Sequence, residues 1–308
     1  MMIVGLAKLK TMAFHNRNDI VAITLFNGLG DYVIARPVLE ECARTSRKTI
    51  LFCDNDLCFD IFEGMNIDII MCPDNEVVRG TSPNYWYSLN AYSPIPKEEV
   101  FLRYWENIGV RGFQDVISLP GFNDLTPMVN QYRKVIGLSE NQKFSQSHIP
   151  IAKKDVVRVL EKTRLSGIGN SFLTIHNESL DEKQWDAVNL ECFCCEVTKR
   201  GGNILLFSEE AVTHIALNKS TKYLDLSFKE KIALLYLSDV FVGIDSVFMH
   251  IADSFRKLGV VLFGPTNPKV WGPTGETLTI LQGDGGSVMS IDYQDVLDCI
   301  LSQYWNEK

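Results

Sequence analysis

The sequence lacks long hydrophobic runs, since no apolar stretch approaches the roughly 18 residues that a membrane-spanning helix requires. Its first residues are interrupted by Lys8 and Lys10 and lack the apolar core of a signal peptide. Basic residues are outnumbered by acidic ones, 30 to 38, which gives a net charge of −8. This balance argues against a nucleic-acid partner and against tight docking on an anionic membrane. We therefore expect a cytoplasmic protein with no transmembrane segment.

The cysteine content is also low, with eight residues in 308, and is typical of a reduced protein. Three of them cluster, namely Cys192, Cys194 and Cys195. The spacing of Leu190, Cys194 and Val197 predicts a helix, on which Cys192 and Cys194 point about 200° apart. These two thiols therefore cannot hold one metal ion together, and we interpret the cluster as packing residues. A metal site completed by a ligand distant in sequence remains the alternative.

The length and the 46% hydrophobic content fit two globular domains of about 150 residues each. Short apolar β-rich runs alternate with helical patterns, which is typical of βαβ units and parallel sheets. We predict strands at 20–26, 49–53, 67–71, 115–119, 172–176, 203–208, 222–226, 240–244 and 260–264. A polar segment at 144–154 predicts the linker. The predicted domains span 1–150 and 151–290, followed at 291–308 by an amphipathic helix able to return to the first domain.

Residues 73–105 depart from this alternation and are rich in Pro, Ser, Asn and aromatic residues. Aromatic faces pack well against the C–H groups of sugars. Tyr85, Trp86 and Tyr87 are therefore candidates for an acceptor site. The alternative is a long surface excursion whose aromatic residues form a small core of their own, and the residues favour neither interpretation.

The strongest local pattern lies at 241–273, where a predicted strand runs into Asp245 and Ser246 and a helix follows. A helix that begins at the carboxyl end of a parallel strand offers free backbone N–H groups, which suit a diphosphate. Asp245 lies beside this positive end and is suited to accept hydrogen bonds from sugar hydroxyls. The alternative is a simple helix cap by Asp245 or Ser246, with His250 as an interior residue.

A second pattern follows the first predicted strand. Gly28 and Gly30 permit a tight turn and the close approach of a ligand, and Asp31 begins the next helix. Taken alone, this is a weak phosphate-loop-like fragment in which Asp31 is a helix cap.

The block that begins at Asp245, followed by FGPTNP at 263–268, resembles the donor-site signature of glycosyltransferase family 9, the lipopolysaccharide heptosyltransferases. The resemblance implies an α/β, GT-B fold with two Rossmann-like domains facing across a cleft, the acceptor side first and the donor side second. Val247 stands where the family has Gly, which implies a less close approach to the phosphate or a different donor. The donor-binding candidates in this block are Asp245, Ser246, Val247, Phe248, Met249 and His250.

The same resemblance implies roles for residues upstream. Asp31 matches the proposed general base, and Gly28 and Gly30 lie beside it on the acceptor side. Lys183 stands before a Trp, where the family has a lysine that reaches the donor phosphates. Glu209 follows a predicted strand at the place where relatives hold the nucleoside.

These roles imply an inverting transfer of a sugar from a nucleoside-diphosphate donor, with ADP-heptose favoured, to an acceptor hydroxyl. No cofactor or metal is expected, since protein groups would neutralise the diphosphate and the sequence has no convincing Asp-x-Asp site. The acceptor is a lipopolysaccharide core, another glycan, a protein or a small molecule. One alternative is a nucleotide-sugar epimerase, whose additional acid and base residues we do not identify. The other is a non-catalytic nucleotide-sugar-binding scaffold, against which Asp31, Lys183 and Asp245 argue together.

Overall fold

Two parallel β-sheets form the framework of the protein, one in each half of the chain. The computed structural model describes residues 19–71, 85–90, 125–138, 148–179, 181–207 and 218–304. Where the connection between two successive strands is described, it contains a helix, which is typical of the βαβ units of parallel sheets. The structure is therefore an α/β protein, as the alternating sequence pattern predicts.

The first sheet has the strand order β3-β2-β1-β4, and each neighbouring pair is parallel. Its strands are β1 (Ile20–Thr24), β2 (Lys48–Cys53), β3 (Asp68–Met71) and β4 (Tyr85–Ser88). The helices of this half are α1 (Leu29–Thr45), α2 (Cys58–Ile61) and α3 (Met128–Ile136). The central strand β1 is almost wholly buried, because helices and neighbouring strands cover it on every side.

The second sheet has the order β10-β9-β8-β5-β6-β7 and is also parallel throughout. Its strands are β5 (Leu173–His176), β6 (Ile204–Leu206), β7 (Thr221–Tyr223), β8 (Val240–Ile244), β9 (Leu258–Phe263) and β10 (Leu278–Gln282). Its helices are α4 (Lys153–Leu165), α5 (Ala187–Lys199), α6 (Phe228–Leu237), α7 (Val247–Ser254), α8 (Pro268–Trp271) and α9 (Tyr293–Tyr304).

Each predicted strand corresponds to an observed one, except that at 115–119, which lies outside the described residues. Strands β4 and β10 are not among those predicted from the sequence. At 85–88 the interpretation as an irregular aromatic segment is wrong, because these residues pair in parallel with β1. The side chain of Tyr87 is 3% exposed and belongs to the core. It packs inside the protein and is not placed to contact an acceptor, contrary to the prediction. The side chains of Tyr85 and Trp86 lie outside the described part.

The terminal helix α9 packs on the second sheet, against α5 and β9. Its apolar face buries Val296, Leu297 and Ile300 completely. The indole N–H of Trp185 donates to the Ile291 carbonyl at 2.9 Å and so fixes the residues that lead into α9. The helix therefore docks where the second sheet offers the matching apolar face.

The two halves meet where α1 packs against α7, the helices that follow β1 and β8. A second contact joins α6 to the first half, since Lys229 Nζ lies 3.3 Å from Asp60 and 2.8 Å from Glu63. Helices α1 and α7 both begin at the carboxyl ends of their strands, β1 and β8. The residues at the N-termini of these two helices therefore face one cleft.

Replacement of Gly259 by Ala should destabilise the second sheet strongly. A β-carbon there would lie 1.9 Å from the Phe241 carbonyl oxygen, which is backbone and cannot move without breaking the β8–β9 pairing. We expect a loss of about 3 kcal/mol in the free energy of unfolding, measured by urea denaturation. Gly169→Ala is the matched control, because its nearest atom is 3.7 Å away. Equal unfolding midpoints for the two variants would contradict the packing described.

Candidate active site

Asp31 lies in the first turn of α1, whose N-cap is Gly28. One oxygen of its carboxyl, Oδ1, accepts hydrogen bonds from the Tyr132 hydroxyl at 2.5 Å and from Asn27 Nδ2 at 3.3 Å. Burial raises the pKa of Asp31 to about 6, the two hydrogen bonds lower it, and the charge of Asp245 adds a smaller increase. A carboxylate that titrates near neutral pH is suited to accept a proton.

Across the cleft, Asp245 follows β8 and forms the centre of a small polar cluster. Its Oδ2 lies 2.7 Å from Lys183 Nζ and accepts a hydrogen bond from Thr266 Oγ1 at 2.6 Å. Lys183 ends a single 3₁₀ turn, Asp181–Lys183, that comes after β5, and Thr266 comes after β9. Three strand ends of the second sheet therefore supply one lysine, one carboxylate and one hydroxyl to the same place.

The N-terminus of α7 has no side-chain cap, so the simple-cap interpretation of Asp245 and Ser246 is wrong. The hydroxyl of Ser246 instead forms a 3.2 Å hydrogen bond with His176 Nδ1. Burial lowers the pKa of His176 to about 3, and the rings of Phe207 and Phe248 pack beside it. The imidazole is therefore neutral, and none of the described side chains caps the N–H groups at the start of α7.

His250 extends from α7 toward the first half and is buried. A β-carbon on Gly30 would lie 3.1 Å from His250 Cδ2, so glycine at this position lets α1 approach α7 closely. Burial lowers the pKa of His250, the nearby carboxylates of Asp245 and Asp253 raise it, and Lys183 lowers it. These contacts and charges bring Asp31, Lys183, Asp245 and His250 to one cleft.

Residues 123–301, more than half of the chain, match the family model described as glycosyltransferase family 9 (heptosyltransferase). The chain belongs to glycosyltransferase family 9. Solved structures agree with this in fold. The ADP-heptose lps heptosyltransferase II of E. coli superposes with a TM-score of 0.72 at 14% identity, covering 94% of this chain and 99% of that one.

Two further structures have the same architecture. The family 9 glycosyl transferase from Veillonella parvula DSM 2008 gives a TM-score of 0.73 at 15% identity and covers 92% of this chain and 96% of that one. E. coli heptosyltransferase WaaC, solved with ADP, gives a TM-score of 0.64 at 12% identity and covers 92% of this chain and 99% of that one. No curated protein sequence matches the chain. The predicted family and the GT-B fold are confirmed, and the protein is a glycosyltransferase.

Not every predicted site residue of this glycosyltransferase contributes a side chain to the cleft. Met249 is fully buried and its backbone N–H donates to the Ser246 carbonyl at 3.2 Å, while Phe248 is 6% exposed. Both side chains therefore pack in the core, and of these two residues the backbone N–H of Phe248 is the group that can serve a ligand. Val247 is partly exposed at the start of α7. Glu209 lies outside the described residues.

Sequence reasoning missed several polar residues of the cleft. Thr266 lies within the recognised FGPTNP block, and that position was the available signal. Asn27 directly follows the first predicted strand, whereas nothing local points to Tyr132, 101 residues from Asp31. Asp253, at the end of α7, accepts hydrogen bonds from the backbone N–H groups of Thr274 and Gly275 and so holds the loop after α8.

Within the described ranges of this family 9 enzyme, no group of three or more His, Cys, Asp or Glu residues is arranged to hold a metal ion. The three clustered cysteines lie on α5, where Cys194 is buried and Cys195 is exposed. Asp54 and Asp56 do have the Asp-x-Asp spacing, but Asp54 Oδ1 accepts a hydrogen bond from the Tyr32 hydroxyl. In the same ranges, none of the helices combines the length and the apolar character that crossing a membrane requires.

Proposed function

We propose that this glycosyltransferase moves a heptose from ADP-heptose to an acceptor hydroxyl, with inversion at the anomeric carbon and without a metal ion. The observation that carries the proposal is the arrangement of Asp31, a carboxyl with a pKa of about 6, opposite the Lys183–Asp245 pair across the cleft. In this proposal residues 1–150 bind the acceptor and residues 151–290 bind the donor.

The base step assigns the free oxygen of Asp31 to the acceptor. Among the described residues, other side chains donate only to Oδ1, which leaves Oδ2 for the acceptor hydroxyl. The acceptor oxygen attacks the anomeric carbon, its proton passes to Asp31, and the bond between sugar and diphosphate breaks. A single displacement forms no covalent sugar–enzyme intermediate and therefore inverts the configuration.

The leaving group is assigned to the second half. The ammonium of Lys183 and the uncapped N–H groups of α7 would stabilise the charge that develops on the diphosphate. A lysine and a helix N-terminus in this position take the place of a divalent ion. From the side chains that the structure describes, Asp245 receives hydrogen bonds from Lys183 and Thr266, both on Oδ2, so Oδ1 is assigned to a hydroxyl of the donor sugar.

The choice of donor rests on the relatives. E. coli heptosyltransferase WaaC has been solved with ADP and with ADP-2-deoxy-2-fluoro heptose. We assign the same class of donor to this chain. The proposed acceptors are a lipopolysaccharide inner core, another glycan, a protein or a small molecule, and the proposed location is the cytoplasm.

A donor panel tests the proposal. ADP-heptose should raise the melting temperature more than GDP-, UDP- or TDP-sugars at equal concentration, since binding to the folded state alone stabilises it. Transfer from ADP-heptose to a panel of inner-core oligosaccharides and other glycans should continue in EDTA. The one-bond coupling constant between the anomeric carbon and its proton in the product should report inversion. Retention of configuration, loss of activity in EDTA, or no melting shift with any of the four donor classes would each overturn a stated part of the proposal.

A further inference from the structure

The Tyr132 hydroxyl, Asp31 Oδ1 and Asn27 Nδ2 form a triangle of hydrogen-bonded atoms. The hydroxyl oxygen is 2.5 Å from Asp31 Oδ1 and 3.4 Å from Asn27 Nδ2. The same amide nitrogen reaches Asp31 Oδ1 at 3.3 Å and the Leu89 carbonyl at 3.4 Å. The side chain of Tyr132 is fully buried, so this geometry is set by packing rather than by solvent.

The direction of each hydrogen bond follows from the groups involved. The amide of Asn27 can only donate through Nδ2, so the oxygen of the Tyr132 hydroxyl accepts from it. The hydroxyl proton is then available to Asp31 Oδ1. Burial raises the pKa of Tyr132 well above its usual value, with the charge of Asp31 adding to the increase, so the phenol remains a neutral donor.

We propose that Tyr132 is a positioning residue for the base: its hydroxyl fixes the Asp31 carboxylate through Oδ1 and leaves Oδ2 directed to the acceptor. This inference rests on the proposed role of Asp31. The fixed geometry follows from three segments, because α3 packs against α1 and Asn27 is tied to the end of β4 through Leu89. A carboxylate held in this way loses little orientational freedom when the acceptor arrives.

The hydrogen bond from the Tyr132 hydroxyl also affects the pKa of Asp31. Among the described residues, the charged and titratable groups that act on Asp31 are Tyr132 from α3 and Asp245 from the end of β8, to which Lys183 is paired. His250 from α7 lies beside Gly30, the residue before Asp31. Burial and Asp245 favour the protonated carboxyl, whereas Tyr132 and Asn27 favour the carboxylate. Loss of the Tyr132 hydroxyl must therefore raise the pKa of Asp31.

The test compares the pH dependence of kcat/KM in the wild type and in Tyr132→Phe. The acidic limb, set by Asp31, should move to higher pH by about one unit in the variant, and a ¹³C NMR titration of the Asp31 carboxyl should move with it. Incorporation of 3-fluorotyrosine at position 132 keeps the ring and provides a more acidic donor. It should move both curves in the opposite direction, to lower pH, which a purely steric role of the ring does not predict.

Tyr32→Phe is the matched control. Tyr32 is equally buried and adjacent to Asp31 in sequence, but its hydroxyl bonds to the Leu25 carbonyl at 3.0 Å and to Asp54 at 3.1 Å. This variant should lose stability without moving the acidic limb. Identical titration curves for wild type, Tyr132→Phe and the fluorotyrosine protein would overturn the inference about Tyr132. An active Asp31→Asn variant would instead overturn the role of Asp31 on which the inference rests.

Discussion

Asp31→Asn should lower kcat/KM for sugar transfer by about 10³-fold, within the range that a positioned general base contributes. The amide keeps the size of the carboxyl and can still accept a hydrogen bond from Tyr132, so the fold should persist. It has no basic oxygen for the acceptor proton. Because a negative charge near Asp245 is removed at the same time, affinity for the anionic donor should stay equal or increase.

Two measurements separate these effects. Initial rates give kcat/KM, and calorimetric titration with ADP-heptose gives the donor Kd, which should not weaken by more than about threefold, or 0.65 kcal/mol. Asp54→Asn serves as the control, because Asp54 is a carboxylate of the same half that contacts Tyr32 rather than the base. Turnover within tenfold of the wild type in Asp31→Asn would contradict the assignment of the base.

Lys183→Met should lower kcat/KM by about 10²-fold and weaken donor binding, because the variant removes the ammonium assigned to the diphosphate. The methionine retains much of the length of the lysine stem. The side chain of Asp245 is 10% exposed, and without Lys183 its remaining side-chain partner in the described part of the chain is the hydroxyl of Thr266. Some loss of stability should therefore accompany the loss of activity.

A double variant distinguishes the two causes. Lys183→Met with Asp245→Asn removes both charges, so the melting temperature should recover while transfer stays well below that of Asp245→Asn alone, which is the reference for the lost contact with the donor sugar. Lys162→Met is the control in the same half, since its ion pair with Glu230, 3.0 Å long, lies away from the cleft. If the double variant recovered stability and matched Asp245→Asn in transfer, Lys183 would be a structural partner of Asp245 and nothing more.

The sequence predicts the second half well because its strands are short apolar runs buried on both faces. The bounds of β8 agree residue for residue with the prediction, and α7 begins directly after Ser246. The same signal, a short apolar run followed by the start of a helix, predicts β1 and the turn at Asp31. Since parallel strands end at one edge of a sheet, the structure brings Lys183 and Asp245 together as the motif implies.

The remainder depends on contacts that no local pattern encodes. Tyr132 reaches Asp31 because α3 packs on α1, and the helical pattern around it gives no sign of a polar partner. Ser246 has the sequence position of a cap, but His176, 70 residues away, competes for its hydroxyl. Strand β4 was missed because four residues in a polar, proline-rich stretch carry too short a pattern, and pairing with β1 is what orders them.

Asp31 and Asp245 face each other from opposite halves of the chain, and repulsion from the charge of Asp245 makes the Asp31 carboxyl harder to ionise. In the proposed reaction every transfer loads the acceptor's proton onto Asp31, which cancels this repulsion until the proton escapes to water. The cleft would then alternate between a repelling and a relaxed electrostatic state once per catalytic cycle. Deprotonation of the base, rather than departure of ADP alone, would reset the enzyme for its next transfer.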